Sequence, residues 1–443
     1  MKYITKFSFL IIRIIFILAY NSFLLARLND EDIAEKREGN YITGIPLVNF
    51  SSDDGVGYGL RFYFYNNGSR SDPDFVNIPY NTQIYCQYFS TTKGYQYHEL
   101  NLNSFNIFNT GFRLKTSFIY EERLNANFYG TGAYAASQKL TDSNGNKYST
   151  YRDYESRFLK TNNYSNYKYN KYTITAPEYS ADFYRDILQD IKLLFGVRFR
   201  YADIDPWDGR KFRLGIFDND SYTQTMPTLL STVRPEGYSG GWTNFARAGI
   251  AWDTRDFEPD PNRGAYIDYV FDLNSKTTGS AYNFNRSTAG ARMYVTLFRS
   301  FVVTGRIAYT DANGDVPFYE MNSFSFFYNR FNGLGGFRTL RGYQQDRFLG
   351  PTMTMGNIEI RYSFCKFSLS GQQFNIKAVG FADTGNVYDK AGDPFTDPRI
   401  NDYKLGYGGG LVIAWNKNTI VHFYYGFSRE DTSVSVNFNH SLD

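Results

Sequence analysis

Side chains able to do chemistry are few in this chain, and they are scattered. His98, His422 and His440 stand far apart, with no second His, Cys or carboxylate at the spacing a zinc site requires. Cys86 and Cys365 fall on separate segments whose alternation sets them on opposite faces, so no disulfide is expected. No G-x-S-x-G turn offers an activated serine. Gly55, Gly57 and Gly59 follow Asp53 and Asp54, but no helix follows to complete a phosphate cradle, and a hairpin turn is the expectation. The pair Asp253 and Asp256 reads as turn charges. No enzyme, metal or cofactor is therefore expected. The acids that stand out are Glu359 and Asp383, each on the polar face of an alternating segment, so both point to one side of the sheet those segments build.

The elements that must position them are strands. Lys and Arg (47) nearly balance Asp and Glu (44), which removes the dominant basic field that a nucleic-acid partner would need. Aromatics reach 19%, there are 38 glycines, and the mean hydropathy is −0.46. Past the N-terminus no run of about 20 apolar residues exists, which excludes a bundle of membrane helices. Residues 355–364 show the theme: Asn357, Glu359, Arg361 and Ser363 alternate with Ile358, Ile360, Tyr362 and Phe364. Sixteen such segments are expected, near 43–50, 57–66, 80–90, 94–106, 111–121, 171–185, 191–204, 243–254, 264–273, 282–298, 301–311, 353–364, 374–384, 404–416, 418–428 and 432–440. Each has about the 9–11 residues a tilted strand needs to cross a bilayer. Aromatic runs at 62–65 and 423–425 predict girdles at the membrane interfaces.

The expected fold is all-β, a sixteen-stranded antiparallel transmembrane β-barrel with its apolar band outward and its polar face lining a lumen. Such a sheet must close, because unpaired backbone groups facing lipid cost several kcal/mol each. The long connections 122–170, 205–242, 312–352 and 385–403 all fall at one end, the pattern of outer loops over short periplasmic turns. Residues 1–26, with Lys2 and Lys6 before an apolar run and Ala26 at its end, predict an export signal. Residues 27–42 predict a short, polar, mobile periplasmic segment, and 43–443 the barrel. The expected location is a bacterial outer membrane.

Four segments carry a resemblance, in order. They are Asp253-Thr254-Arg255-Asp256 followed by Pro261 and Gly264, then Gly335-Gly336 with Leu340-Arg341-Gly342-Tyr343, then Asn357 to Arg361, then Phe381 to Gly385. A weaker fifth is Gly406 to Leu411. Together they resemble the outer-membrane assembly-factor family, the bacterial surface antigen or BamA/TamA superfamily. The resemblance implies a long sixth outer loop folded into the lumen, where Arg341, flanked by Gly342 and Tyr343, meets Glu359 and Asp383. It also implies a part in insertion or translocation of proteins or lipids, with outer-membrane lipids, client outer-membrane proteins or an assembly-complex partner as contacts. The alternatives are an accessory or structural subunit of a larger complex, or a diffusion channel.

Two departures shape the expectation. The family's POTRA modules are not expected in so short a segment before the barrel. At the other end Val434, Val436, Phe438 and His440 hold the outward phase, with Leu442 where a terminal aromatic would stand. The first strand contains Gly44 and Pro46, and a proline removes a ladder donor. Two readings stay open: Pro46 simply enters the first strand, or a seam parts between the first strand and the last, around Gly44, Pro46 and Phe438.

Overall fold

The computed structural model describes residues 36–438 and 442, apart from 52–53, 73–74, 76–77, 299, 397–401 and 417–418. The expected export signal at 1–26 and the polar residues 27–35 lie outside the described residues.

The alternating segments form sixteen strands. They are β1 (Asn40–Ser51), β2 (Gly55–Asn66), β3 (Thr82–Thr91), β4 (Tyr95–Ser104), β5 (Arg113–Asn127), β6 (Lys171–Leu188), β7 (Ile191–Pro206) and β8 (Gly241–Asp253). The second half holds β9 (Gly264–Asn274), β10 (Phe284–Phe298), β11 (Phe301–Gly314), β12 (Thr352–Leu369), β13 (Gln372–Tyr388), β14 (Lys404–Trp415), β15 (Thr419–Ser428) and β16 (Thr432–Phe438). Each pairs antiparallel with the next in chain order, and the sheet curls until β16 lies beside β1. No ladder joins those two strands among the described residues.

Polarity is inverted relative to a water-soluble sheet. Along β12 the outward Ile358 and Ile360 are exposed, while the inward Glu359 and Arg361 are buried. The same split separates exposed Phe195 and Phe199 from buried Arg198 and Arg200 on β7. Exposed hydrocarbon outside and buried charge inside is what a bilayer-spanning barrel requires. Among the described residues no helix is long and apolar enough to cross a membrane.

Several expectations change in detail. The aromatic runs do not sit wholly in girdles: Phe62 and Phe64 are exposed outside, whereas Tyr63 and Tyr65 are buried inside, because consecutive strand residues face opposite ways. Tyr424 likewise turns inward between Phe423 and Tyr425. Both cysteines are free thiols, but not on opposite faces. A bulge between Ser363 and Cys365 sets Cys365 opposite Ile376 rather than in phase with Lys377, so it turns outward as Cys86 does. Residues 36–39 are not loose. Lys36 donates to the carbonyls of Phe75 and Ile78, and Glu38 accepts from Ser69 and the Arg70 amide, tying this stretch to the turn after β2. Burial there pushes the Lys36 ammonium down to about 8. Leu442 does not occupy an outward terminal position. It is fully buried, and its carbonyl accepts from Arg292 Nε of β10 at 2.7 Å, inside the lumen.

Candidate functional site

The site is built from the lumen wall and from the connection 315–351, the sixth loop at the long-loop end. Arg341 lies at its centre. Its Nε donates to Asp383 Oδ2 and its Nη2 to Asp383 Oδ1, both at 2.7 Å, while Nη1 donates to Glu359 Oε1 at 2.6 Å. The Arg341 amide adds a third bond to Asp383, at 3.0 Å. Glu359 on β12 and Asp383 on β13 face inward because each holds the polar phase of its strand. Exposure is 2% for Arg341, 0% for Glu359 and 1% for Asp383, so three charges share a site nearly closed to water. Such charges persist only when paired and fully hydrogen-bonded. Arg361 takes the second oxygen of Glu359 at 3.0 Å, and Asn357 Nδ2 donates to Asp383 Oδ1 at 2.8 Å. Two guanidinium groups therefore balance two carboxylates. The Phe381 ring covers the Arg341 guanidinium at 3.5 Å.

Glycines let the loop reach this depth. Gly342 has φ +95°, and a Cβ there would strike the Phe427 backbone, while a Cβ on Gly406 of β14 would strike the Arg341 carbonyl. The Gly342 amide donates to Ser433 of β16 at 3.0 Å, and Ser428 at the end of β15 donates to the Gly342 carbonyl at 2.7 Å. Tyr343 is buried among Phe348, Leu340 and the β12 methionines Met353 and Met355. Thus the expected residues Arg341, Gly342, Tyr343, Glu359 and Asp383 are brought together in one place.

A second fastening point escaped sequence reading. Glu320, from the start of the same loop, is 1% exposed. It accepts from Arg198 and Arg200 of β7 at 3.1 Å and from Arg286 of β10 at 3.3 Å, with Thr243 of β8 also at 3.3 Å. The only sequence signal was the inward phase of those arginines; nothing paired them with an acid far along the chain. Arg347 adds a third tie, to Glu430 at 2.7 Å.

The turn that follows β8 holds Asp253, Arg255, Asp256, Pro261 and Gly264, which build the turn itself. Arg255 grips Asp253 through two bonds of 2.8 and 2.9 Å. Asp256 Oδ1 accepts three backbone N–H groups, from Phe257, Asn262 and Arg263. Pro261 is buried, and Gly264 has φ +104° where a Cβ would strike the Thr254 carbonyl. Burial pushes the Asp256 carboxyl up to about 6, against the pull of those three amides. Burial also raises Glu258 in the same turn, but the Arg113 guanidinium, at 2.8 and 2.9 Å, wins and holds it at about 2.

Between the loop and the strands remains a cavity of about 1070 Å³. Its wall includes consecutive residues of β1 from Ile45 to Phe50 and of β16 from Thr432 to Val436, hence both faces of each strand. The space thus runs out between them. Gly44 and Pro46 are exposed, outward-phase residues paired with Phe62 and Leu60 of β2. Pro46 sits mid-strand, and β1 is longer than the expected 43–50. Phe438 is reached by the ladder to Val421 at the end of β16.

A family model described as the Omp85 superfamily domain matches residues 88–441, and one described as a domain of unknown function (DUF5982) matches 25–81. No curated protein matches the sequence. Among solved structures the chain is similar to BamA from Haemophilus ducreyi lacking POTRA domains 1-3, at 13% identity and a TM-score of 0.51, covering 91% of this chain and 70% of that one. It is also similar to CdiB from Escherichia coli, at 10% identity and a TM-score of 0.51, covering 90% of this chain and 61% of that one. Identities that low bear on the fold alone.

Proposed function

This chain belongs to the Omp85 superfamily, and on that premise we propose that it serves in a bacterial outer membrane, in insertion or translocation of proteins or lipids across a barrel that parts between β1 and β16. Outer-membrane lipids and client outer-membrane proteins are its partners in this reading. The observation that carries it is the cavity running out between two strands that share no ladder among the described residues. An unladdered edge leaves backbone N–H and C=O groups facing lipid, which is costly unless an incoming strand pairs with them. Pro46 in the middle of β1 lowers the edge's own pairing capacity. Loop 315–351, fastened by Arg341 and Glu320, keeps the bore from becoming a free pore while the seam stays available.

The test places cysteine pairs between 43–50 and 432–438, in a chain whose Cys86 and Cys365 are changed to serine. Folding of an outer-membrane test protein into proteoliposomes is measured with the pair oxidised and reduced. Oxidation should abolish the acceleration and reduction restore it; equal rates in both states would sink the reading.

A further inference from the structure

We propose that the lumen wall made by β2, β3 and β4 is a binding site for a saccharide chain. The two sides of the cavity differ. Loop 315–351 covers the wall of β12 and β13, whereas the inward positions of β2 to β4 look straight into the space. Tyr85 of β3 and Tyr95 and Tyr97 of β4 stand there half-buried. Planar polar groups separate them. Arg61 donates from Nε to Gln87 at 2.6 Å and from Nη1 to the Tyr63 hydroxyl at 2.9 Å, and the Tyr97 hydroxyl donates to Glu99 at 3.0 Å.

One arginine of the loop faces this wall. The Arg338 guanidinium rests over the rings of Phe331 and Phe337, at 4.9 and 5.4 Å, and no hydrogen-bond or carboxylate partner is seen for it among the described residues. Its electrostatic neighbours are Tyr97, Arg61, Tyr85 and Glu99. A cationic fork thus hangs opposite a set of rings and planar acceptors, across a space at the upper end of the ~300–1,000 Å³ typical of ligand sites.

That chemistry fits a sugar better than its competitors. A pyranose offers a C–H face, which packs on an aromatic ring, and a rim of hydroxyls, which bridge to amide, carboxylate and guanidinium groups two at a time. An apolar ligand would strand the polar groups beside every ring. An extended peptide would look for backbone partners, and β2, β3 and β4 have none to spare, since each is laddered on both edges. The proposal is independent of whether the seam parts.

The full chain, folded in lauryldimethylamine oxide because that detergent carries no sugar, is titrated calorimetrically with maltohexaose, chitohexaose, lipopolysaccharide micelles and a Ser-Asn hexapeptide. Saturable binding of a hexasaccharide is expected for a free chain; binding of lipopolysaccharide alone, competed by its released saccharide, would mark a lipid-borne one. Tyr85→Ala with Tyr97→Ala should weaken binding about tenfold and Arg338→Ala likewise, while Tyr134→Ala, exposed on the short helix Gly132–Ser137, changes nothing. Heat-modifiable migration confirms that each variant is folded. Failure of every saccharide to bind the folded parent, binding indifferent to the tyrosine pair, or tighter binding of the peptide would overturn the proposal.

Discussion

At the scale of single residues, the chemistry of this lumen is fastening. Arg341 is one guanidinium serving two carboxylates, so its loss strands Asp383 without a cation and leaves Glu359 to Arg361 alone, where water does not reach. Arg341→Ala should cost about 3–5 kcal/mol of barrel stability, the range for breaking a buried pair from one side. Arg341→Lys should recover only part, because an ammonium cannot match the fork that meets Asp383. Urea titration of heat-modifiable migration reads both. Asp256 makes a different prediction. Its carboxyl lies at about 6 in the fold against an ordinary 3.8, so the folded chain binds that proton more tightly than the unfolded chain does. Its contribution is therefore fullest below about pH 4 and falls as pH rises through 6. Asp256→Asn keeps an oxygen for the three amides and cannot ionise. The parent should thus lose stability relative to this variant between pH 4 and 6; parallel unfolding profiles would refute it.

At the scale of elements, loop 315–351 acts as a strut tied at Glu320, Arg341 and Arg347, with glycines admitting it to the wall. Gly406→Ala tests this without touching a charge. A methyl there collides with the Arg341 carbonyl, so the loop must lift. Trypsin should then cut within 315–351 at least about tenfold faster than in the parent, as in Arg341→Ala, with the barrel core intact. That equivalence separates docking from charge balance. The loop was only partly legible beforehand. The inward phase of Glu359 and Asp383 could be read because it follows from a local pattern, whereas the place of the R-G-Y stretch in the lumen came only with the family resemblance. Glu320 could not, since a three-arginine cradle drawn from β7 and β10 depends on which strands the closed sheet brings to face the loop.

At the scale of the whole molecule, sixteen strands close a bore that the loop largely fills and leave the β1–β16 contact without a ladder among the described residues. Two consequences follow for measurement. In planar bilayers the parent should show small, rare openings, and Arg341→Ala combined with Glu320→Ala large, sustained ones. A cysteine bridge between β1 and β16 should stabilise the barrel by about 2–4 kcal/mol, because it closes nearly the full chain into one loop of the unfolded state. No change in the unfolding midpoint on oxidation would mean that the bridge strains the native seam by as much as it constrains the unfolded chain.

Strand number, strand positions and the inward or outward sense of most side chains were determined by sequence alone, because a period of two leaves each residue one face or the other. The same rule corrected the aromatic runs: neighbours such as Phe62 and Tyr63 could not share a girdle. Tertiary structure decided the rest. The bulge that turned Cys365 arises in the pairing of β12 with β13, and the burial of Leu442 against Arg292, the capture of Glu320 and the unladdered contact of β1 with β16 depend on what the curled sheet brings together; alternation along one strand carries no information about what stands opposite it.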